Sequence, residues 1–154
     1  MYNHKNKNYI CPFCLLVKWI ESPILYTKES DIIYKDDFLI AFIWSHGWEN
    51  NHCNVLIIPK IHIENIYDLP ENIWCKIFSL SKKIALAMKK AYKCDWISFR
   101  QHNESYWNQD VFHYHYNILP RYKNDNLYLN FDKLFKIPEE ERLKYAKLLK
   151  KYLK

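Results

Sequence analysis

Apolar positions along this chain follow two rhythms. Alternations or short runs at 31–35, 38–44, 53–58, 96–101 and 111–119 have the period of β-strands. Between the third and fourth of these, Ile73, Ile77, Leu80, Ile84, Met88 and Ala91 recur at spacings of three and four, the stripe of an amphipathic helix. Asp68 is placed to cap that helix, with Glu71 in a capping-box relation and Pro70 in the first turn, where a missing N–H costs nothing. A second helix is expected after Pro138. Glu139, Glu140 and Glu141 suit its positive end, and Tyr145, Leu148, Leu149 and Tyr152 form its stripe. Residues 36–37 are too few for a parallel crossover, so the first two strands should form a hairpin. The order predicts an α+β fold: a meander-like antiparallel sheet of roughly five strands, one long helix packed on it, and a C-terminal helix. Residues 1–8 read as a flexible polar segment, 9–125 as the main domain and 126–154 as a C-terminal helical extension.

Composition narrows the class. The 154 residues suit one domain, and the longest apolar run, Phe38 to Trp44, is far short of a membrane span. No secretory pattern precedes Cys11, so a soluble, intracellular and most simply cytoplasmic protein is expected. Much of the net charge of +6 comes from Lys144, Lys147, Lys150, Lys151 and Lys154 on the polar face of the last helix. No Arg stripe with interleaved aromatics is visible, so nucleic acid is not expected as the main partner. Gly47 is the single glycine. Turns needing positive φ must use Asn or Asp, and Asn50-Asn51 and Asn124-Asp125-Asn126 are the candidates. Five cysteines without a secretion signal argue against a disulfide framework.

Two segments carry candidate chemistry. Cys11-Pro-Phe-Cys14 is a CxxC knuckle, whose thiolates could share a tetrahedral Zn²⁺. The same residues also fit two buried small side chains, or a redox pair, although that version usually follows a strand. Two further ligands would be needed. His62 and His113 lie at element edges, whereas His4, His46, His52 and His102 lie in polar stretches where a solvated ring is the default. The second segment is Gln109 to Tyr122, "QDVFHYHYNILPRY". In a strand, His113, His115 and Asn117 project from one face, and Phe112, Tyr114, Tyr116 and Ile118 project from the other, against the helix. A neutral imidazole mounted in this way is a good nucleophile at phosphorus or carbonyl carbon. The plainer alternative is a pair of histidines that line a pocket or bond structural partners.

Taken together, "CPFC", "YKDDFLIAF", "LIIPKIHIENIYDLP" and "QDVFHYHYNILPRY" resemble, in order, the motifs of the histidine-triad (HIT) family of nucleotide hydrolases and transferases, over residues 9–125. The resemblance implies an antiparallel sheet with two helices, paired as a homodimer. It implies a structural zinc held by Cys11, Cys14, His62 and His113. It makes His115 the nucleophile, which becomes nucleotidylated. The substrate would be a nucleotide or dinucleotide, with Gln109, Asn117 and Asn103 near the phosphate.

The departures fall in the substrate shell. Asn117 replaces the third histidine, Asp110 the phosphate-contacting serine, Asn108 the glycine before Gln109, Trp44 the ribose-holding aspartate, and Cys53-Asn54 a Gly-His pair. Asn117 can donate a hydrogen bond but cannot deliver a proton, and general-acid help is worth ~10²–10⁴-fold. A phosphate or pyrophosphate leaving group needs less of that help, and the transferase branch similarly carries an amide there. Asp110 would repel an anionic phosphate unless it turns outward or holds a cation. Trp44 offers a stacking surface, or is a core or dimer residue. Two functions are therefore weighed: a zinc-stabilised nucleotide hydrolase or nucleotidyltransferase acting on a phosphoanhydride through His115, and a binding or scaffold protein that has lost turnover. A pocket at His115 that is open to solvent, with convergent donors, would support the first, and a blocked or carboxylate-lined pocket the second.

Overall fold

The computed structural model describes residues 2–153. Five strands form one antiparallel sheet: β1 (Ile32–Lys35), β2 (Leu39–Ile43), β4 (Val55–Pro59), β5 (Trp96–Arg100) and β6 (Tyr116–Arg121), in the order β1-β2-β4-β6-β5. The first two are the expected hairpin, with Tyr34 opposite Ala41. The sheet is not a meander. The long helix α2 (Glu71–Tyr92) carries the chain past one position, so β6 returns between β4 and β5, antiparallel to both. A second, two-stranded ladder pairs β3 (His46–Gly47) with β7 (Phe135–Lys136). Gly47 is needed here for space rather than for φ. A Cβ on it would lie 2.8 Å from Ile137 Cδ1 and 3.0 Å from the Asn51 carbonyl oxygen.

Every residue of β2 and β4 is buried, which is why both read as unbroken apolar runs. One face packs Leu39, Ala41, Ile43, Val55 and Ile57 against Ile73, Ile77, Leu80, Ile84 and Met88 of α2, with Ala146 and Leu149 of α3 (Glu139–Lys150) in the same cluster. The other face packs Ile40, Phe42, Leu56 and Ile58 under Phe13 and Leu16 of α1 (Pro12–Lys18). The sheet is thus covered on both sides, and the α1 side carries the candidate chemistry.

Several local expectations need correction. Pro70, not Asp68, is the N-cap of α2, because Ile66–Asp68 forms a separate 3₁₀ turn capped by the Asn65 side chain. Tyr152 lies beyond the end of α3 and is exposed, and the buried residues of the helix are Arg142, Ala146 and Leu149. Arg142 donates from Nε to Asp31 at 3.0 Å and from Nη1 to the Ile137 carbonyl at 2.6 Å. Positive φ falls on Asn124 and Asn126 as expected. Near the Asn50-Asn51 turn, however, it falls on Cys53, at 64°.

Candidate metal centre and pocket

Cys11 is the N-cap of α1, and its Sγ accepts the Cys14 N–H at 3.3 Å. The CxxC motif therefore opens a short helix, with no strand before it among the described residues. That turn points both thiols at two histidines delivered from elsewhere. His62 follows β4, and its Nδ1 lies 3.2 Å from Cys14 Sγ. His113 precedes β6, and its Nδ1 lies 3.3 Å from Cys11 Sγ and 3.6 Å from Cys14 Sγ. The four donor atoms all lie within 4.8 Å of one another. Zn–N and Zn–S bonds of ~2.0–2.3 Å set the edges of a tetrahedron at roughly 3.3–3.8 Å, so the donor set suits Zn²⁺ and the three distances of 3.2–3.6 Å are close to such edges, while the widest separations would close on binding. The His113 Nε2–H donates to the Pro59 carbonyl at 2.9 Å, which leaves Nδ1 unprotonated toward the thiols. Burial lowers the His113 pKa to about 4, which keeps its imidazole in the neutral, ligating form, but pushes the Cys11 thiol up to about 12, away from the thiolate that a metal binds. A metal would displace the thiol protons.

The signature segment is less regular than a strand from 111 onward. β6 begins only at Tyr116, and the approach bends, with the Tyr114 N–H donating to the Ile63 carbonyl at 2.6 Å. Facing is nevertheless kept. Tyr114 and Ile118 enter the α2-side core with Tyr116 packed against it, while His113 and His115 both meet Phe13 edge-on, at 5.7 and 5.6 Å. Phe112 departs from the pattern and packs on Tyr9. His115 is 7% exposed, and its Nδ1–H donates to the His113 carbonyl at 2.8 Å. That bond fixes the tautomer and leaves Nε2 with its lone pair. Burial lowers the pKa of His115, and the Asp110 carboxylate opposes that shift. The neutral imidazole is the favoured form.

His115 sits in the wall of a pocket of about 270 Å³. Trp44, Asp110 and Asn117 line it as well, so the structure brings three of the sequence candidates to His115. Asn117 Nδ2 donates across the sheet to the Arg100 carbonyl at 3.2 Å. Asp110 is exposed at the rim. Trp44 begins an aromatic row, with Trp48 at 5.7 Å and Phe131 stacked beyond it at 5.4 Å.

Gln109 and Asn103 do not line the pocket. Gln109 is buried in its loop, accepting the Glu104 N–H at 2.6 Å and donating to the Glu64 carbonyl at 2.5 Å. Asn103 accepts the Ile66 N–H at 2.9 Å and exchanges amide hydrogen bonds with Gln101. Both amides are committed to holding loops. Conversely, Arg100 and His102 line the pocket, and sequence reasoning missed both. His102 is not simply solvated: its Nδ1–H donates to the Asn108 carbonyl at 3.2 Å. The one available signal was alternation, since Arg100 and His102 lie two apart at the end of a strand. Asn108 and Cys53, read from the resemblance as replacing glycines, have φ of 61° and 64°, the region that favours glycine.

Comparison with known proteins places this geometry. The HIT domain model matches residues 26–124. Protein hit of Bacillus subtilis is 32% identical over 109 residues, 71% of each chain. Adenylylsulfatase HINT3 of Arabidopsis thaliana is 29% identical over 118 residues, 77% of this chain and 55% of its own. Adenosine 5'-monophosphoramidase HNT1 of Saccharomyces cerevisiae is 29% identical over 135 residues, 82% of this chain and 79% of its own. Among solved structures, the Hit-like protein involved in cell-cycle regulation from Bartonella henselae superposes with a TM-score of 0.75 at 27% identity, covering 97% of this chain and all of that one.

Proposed function

The chain belongs to the HIT domain family, and from that premise we propose that it is a zinc-stapled nucleotide hydrolase or nucleotidyltransferase that uses His115 as its nucleophile. The observation that carries this reading is the mounting of His115. Its Nδ1–H is spent on the His113 carbonyl at 2.8 Å, so Nε2 is the free nitrogen on the pocket wall. Two relatives are named for cleaving nucleotides at phosphorus: an adenylylsulfatase and an adenosine monophosphoramidase. The proposed substrate is a nucleotide phosphoanhydride.

In the proposed reaction, the Nε2 lone pair attacks the nucleotide phosphorus. A P–N bond forms and the P–O bond to the leaving phosphate breaks, its electron pair staying on the leaving oxygen. Water, or a phosphate acceptor, then attacks the nucleotidyl-histidine. The P–N electrons return to Nε2, and the proton of the attacking water passes to solvent. Asn117 gives the leaving group no proton, so an anionic leaving group is favoured over an amine. Zn²⁺ would be held by Cys11, Cys14, His62 and His113. It would supply a cross-link between α1 and the two histidine segments, and it takes no part in the steps above. His113 would then serve both purposes, holding the metal through Nδ1 and orienting His115 through its carbonyl.

A homodimer is part of the proposal. It is supported by β5 at the open edge of the sheet, where Trp96 and Phe99 are exposed. A blocked or carboxylate-lined pocket would favour the scaffold alternative: space remains beside His115, which supports the enzyme reading, while the Asp110 carboxylate at the rim is the feature that favours the scaffold. Among the described residues, no helix is long and apolar enough to cross a membrane. Turnover of dinucleoside polyphosphates by the full chain and by His115→Ala tests the proposal. Loss of activity in the variant by at least ~10³-fold is expected for a nucleophile. Equal turnover by both would exclude it.

A further inference from the structure

Arg100 is an unpaired cation in the wall of the pocket. It is the β5 partner of Asn117, so both side chains project from the same face of the sheet. Its guanidinium lies 4.6 Å from the Phe131 ring centroid and 5.9 Å from that of Trp48, and those two rings stack on each other. The aromatic faces fix its position and shield it from water. Its Nη1 is buried with no hydrogen-bond partner. The other two arginines of the described chain are both satisfied: Arg121 pairs with Asp125 and Arg142 with Asp31. Among the described residues, Arg100 has no carboxylate within salt-bridge distance, although it stands half-buried in the wall of the pocket that His115 also lines. Native proteins rarely leave a buried guanidinium N–H unpaired, and a phosphate is a partner that its planar fork fits.

We infer that Arg100 binds the anionic leaving group of a phosphoanhydride substrate, so that charge pairing replaces the proton that Asn117 cannot supply. The inference rests on the reading of His115 as nucleophile. Along the pocket floor, His115 is followed by Asn117, and Arg100 lies beside Asn117 across the strand pair. A leaving phosphate directed along the strand from His115 would meet Asn117 and Arg100. The planar fork matches two phosphate oxygens, and pairing strengthens as the P–O bond breaks and charge collects on the leaving oxygen. An amine leaving group gains nothing from a cation. The pocket is built for nucleoside diphosphates, polyphosphates and dinucleoside polyphosphates in preference to phosphoramidates.

The test has a binding arm and a kinetic arm, both on the full chain, with thermal unfolding to check that each variant is folded. In the binding arm, His115→Ala protein is titrated with a nucleoside monophosphate and the matching diphosphate. The diphosphate should bind at least ~10-fold tighter, Arg100→Gln should remove that difference, and Arg100→Lys should keep part of it. No difference between the two nucleotides, or a difference that survives Arg100→Gln, overturns the inference. In the kinetic arm, the ratio of kcat/KM for a dinucleoside polyphosphate to that for a nucleoside phosphoramidate should fall at least ~10-fold in Arg100→Gln. An unchanged ratio also overturns it. If the binding difference is present and Arg100-dependent but no substrate turns over, Arg100 stands as an anion site and the catalytic reading of His115 fails.

Discussion

Asn108 shows how this chain manages with a single glycine. Its φ of 61° is in the left-handed region that favours glycine, and asparagine tolerates it best among the other residues. Asn108→Gly should match or slightly exceed the parent in thermal unfolding, whereas Asn108→Val should lose about 1–2 kcal/mol. Equal stability for the valine variant would contradict the strained loop. At this scale the sequence was partly legible. The His113–His115–Asn117 face followed from alternation, because one buried aromatic face fixes the register. Gln109 and Asn103 match a pattern of substrate ligands, yet their amides are consumed by loop backbone, a matter of local geometry that composition does not encode. Arg100 was hidden for another reason: its neighbours Trp48 and Phe131 are remote in sequence, and only the β3–β7 end of the fold brings them together.

Among the elements, the turn after β6 is the one most exposed to acid. Asp125 accepts from Arg121 Nε at 2.6 Å and Nη2 at 2.8 Å, from the Asn51 amide at 2.8 Å, and from the Tyr122 and Leu127 N–H groups. The Arg121 guanidinium, foremost among these, holds the carboxyl well below the usual carboxylate range. A lowered folded pKa means stability that is present above the unfolded value of about 4 and lost as pH falls through the folded value. In urea unfolding at pH 7, Asp125→Asn should be the less stable protein, and its deficit should shrink steadily below pH ~4. A deficit independent of pH would show that the carboxylate charge contributes nothing. The five main strands and two longer helices were legible because β2, β4 and α2 are buried with their own periodicities. The exchange of β5 and β6 was not, since either order satisfies the same apolar pattern. Nor was the start of β6, where the bend at 111–115 carries a strand-like sequence without ladder bonds.

On the scale of the whole molecule, two ties cross the fold. Arg142 of α3 and Asp31 are both almost fully buried and joined at 3.0 Å, fixing the last helix beside the first strand. Arg142→Ala, which strands a buried carboxylate, should destabilise the protein by about 3–5 kcal/mol, measured by denaturant unfolding. A loss under about 1 kcal/mol would mean that the helix is held by Ala146 and Leu149 alone. The second would be the zinc proposed at Cys11, Cys14, His62 and His113. Purified protein should carry about one zinc per chain, and its chelation should lower the unfolding temperature and expose the thiols of Cys11 and Cys14. Metal-free protein with unchanged stability would contradict the zinc proposal. The central claim is that His115 attacks phosphorus, and the direct measurement is the intermediate itself. The full chain is mixed with a dinucleoside polyphosphate, quenched in alkali, and mapped by peptide mass. A nucleotidyl group on the peptide containing His115, absent from His115→Ala, is the predicted result. Turnover without that adduct, undiminished in His115→Ala, would contradict it.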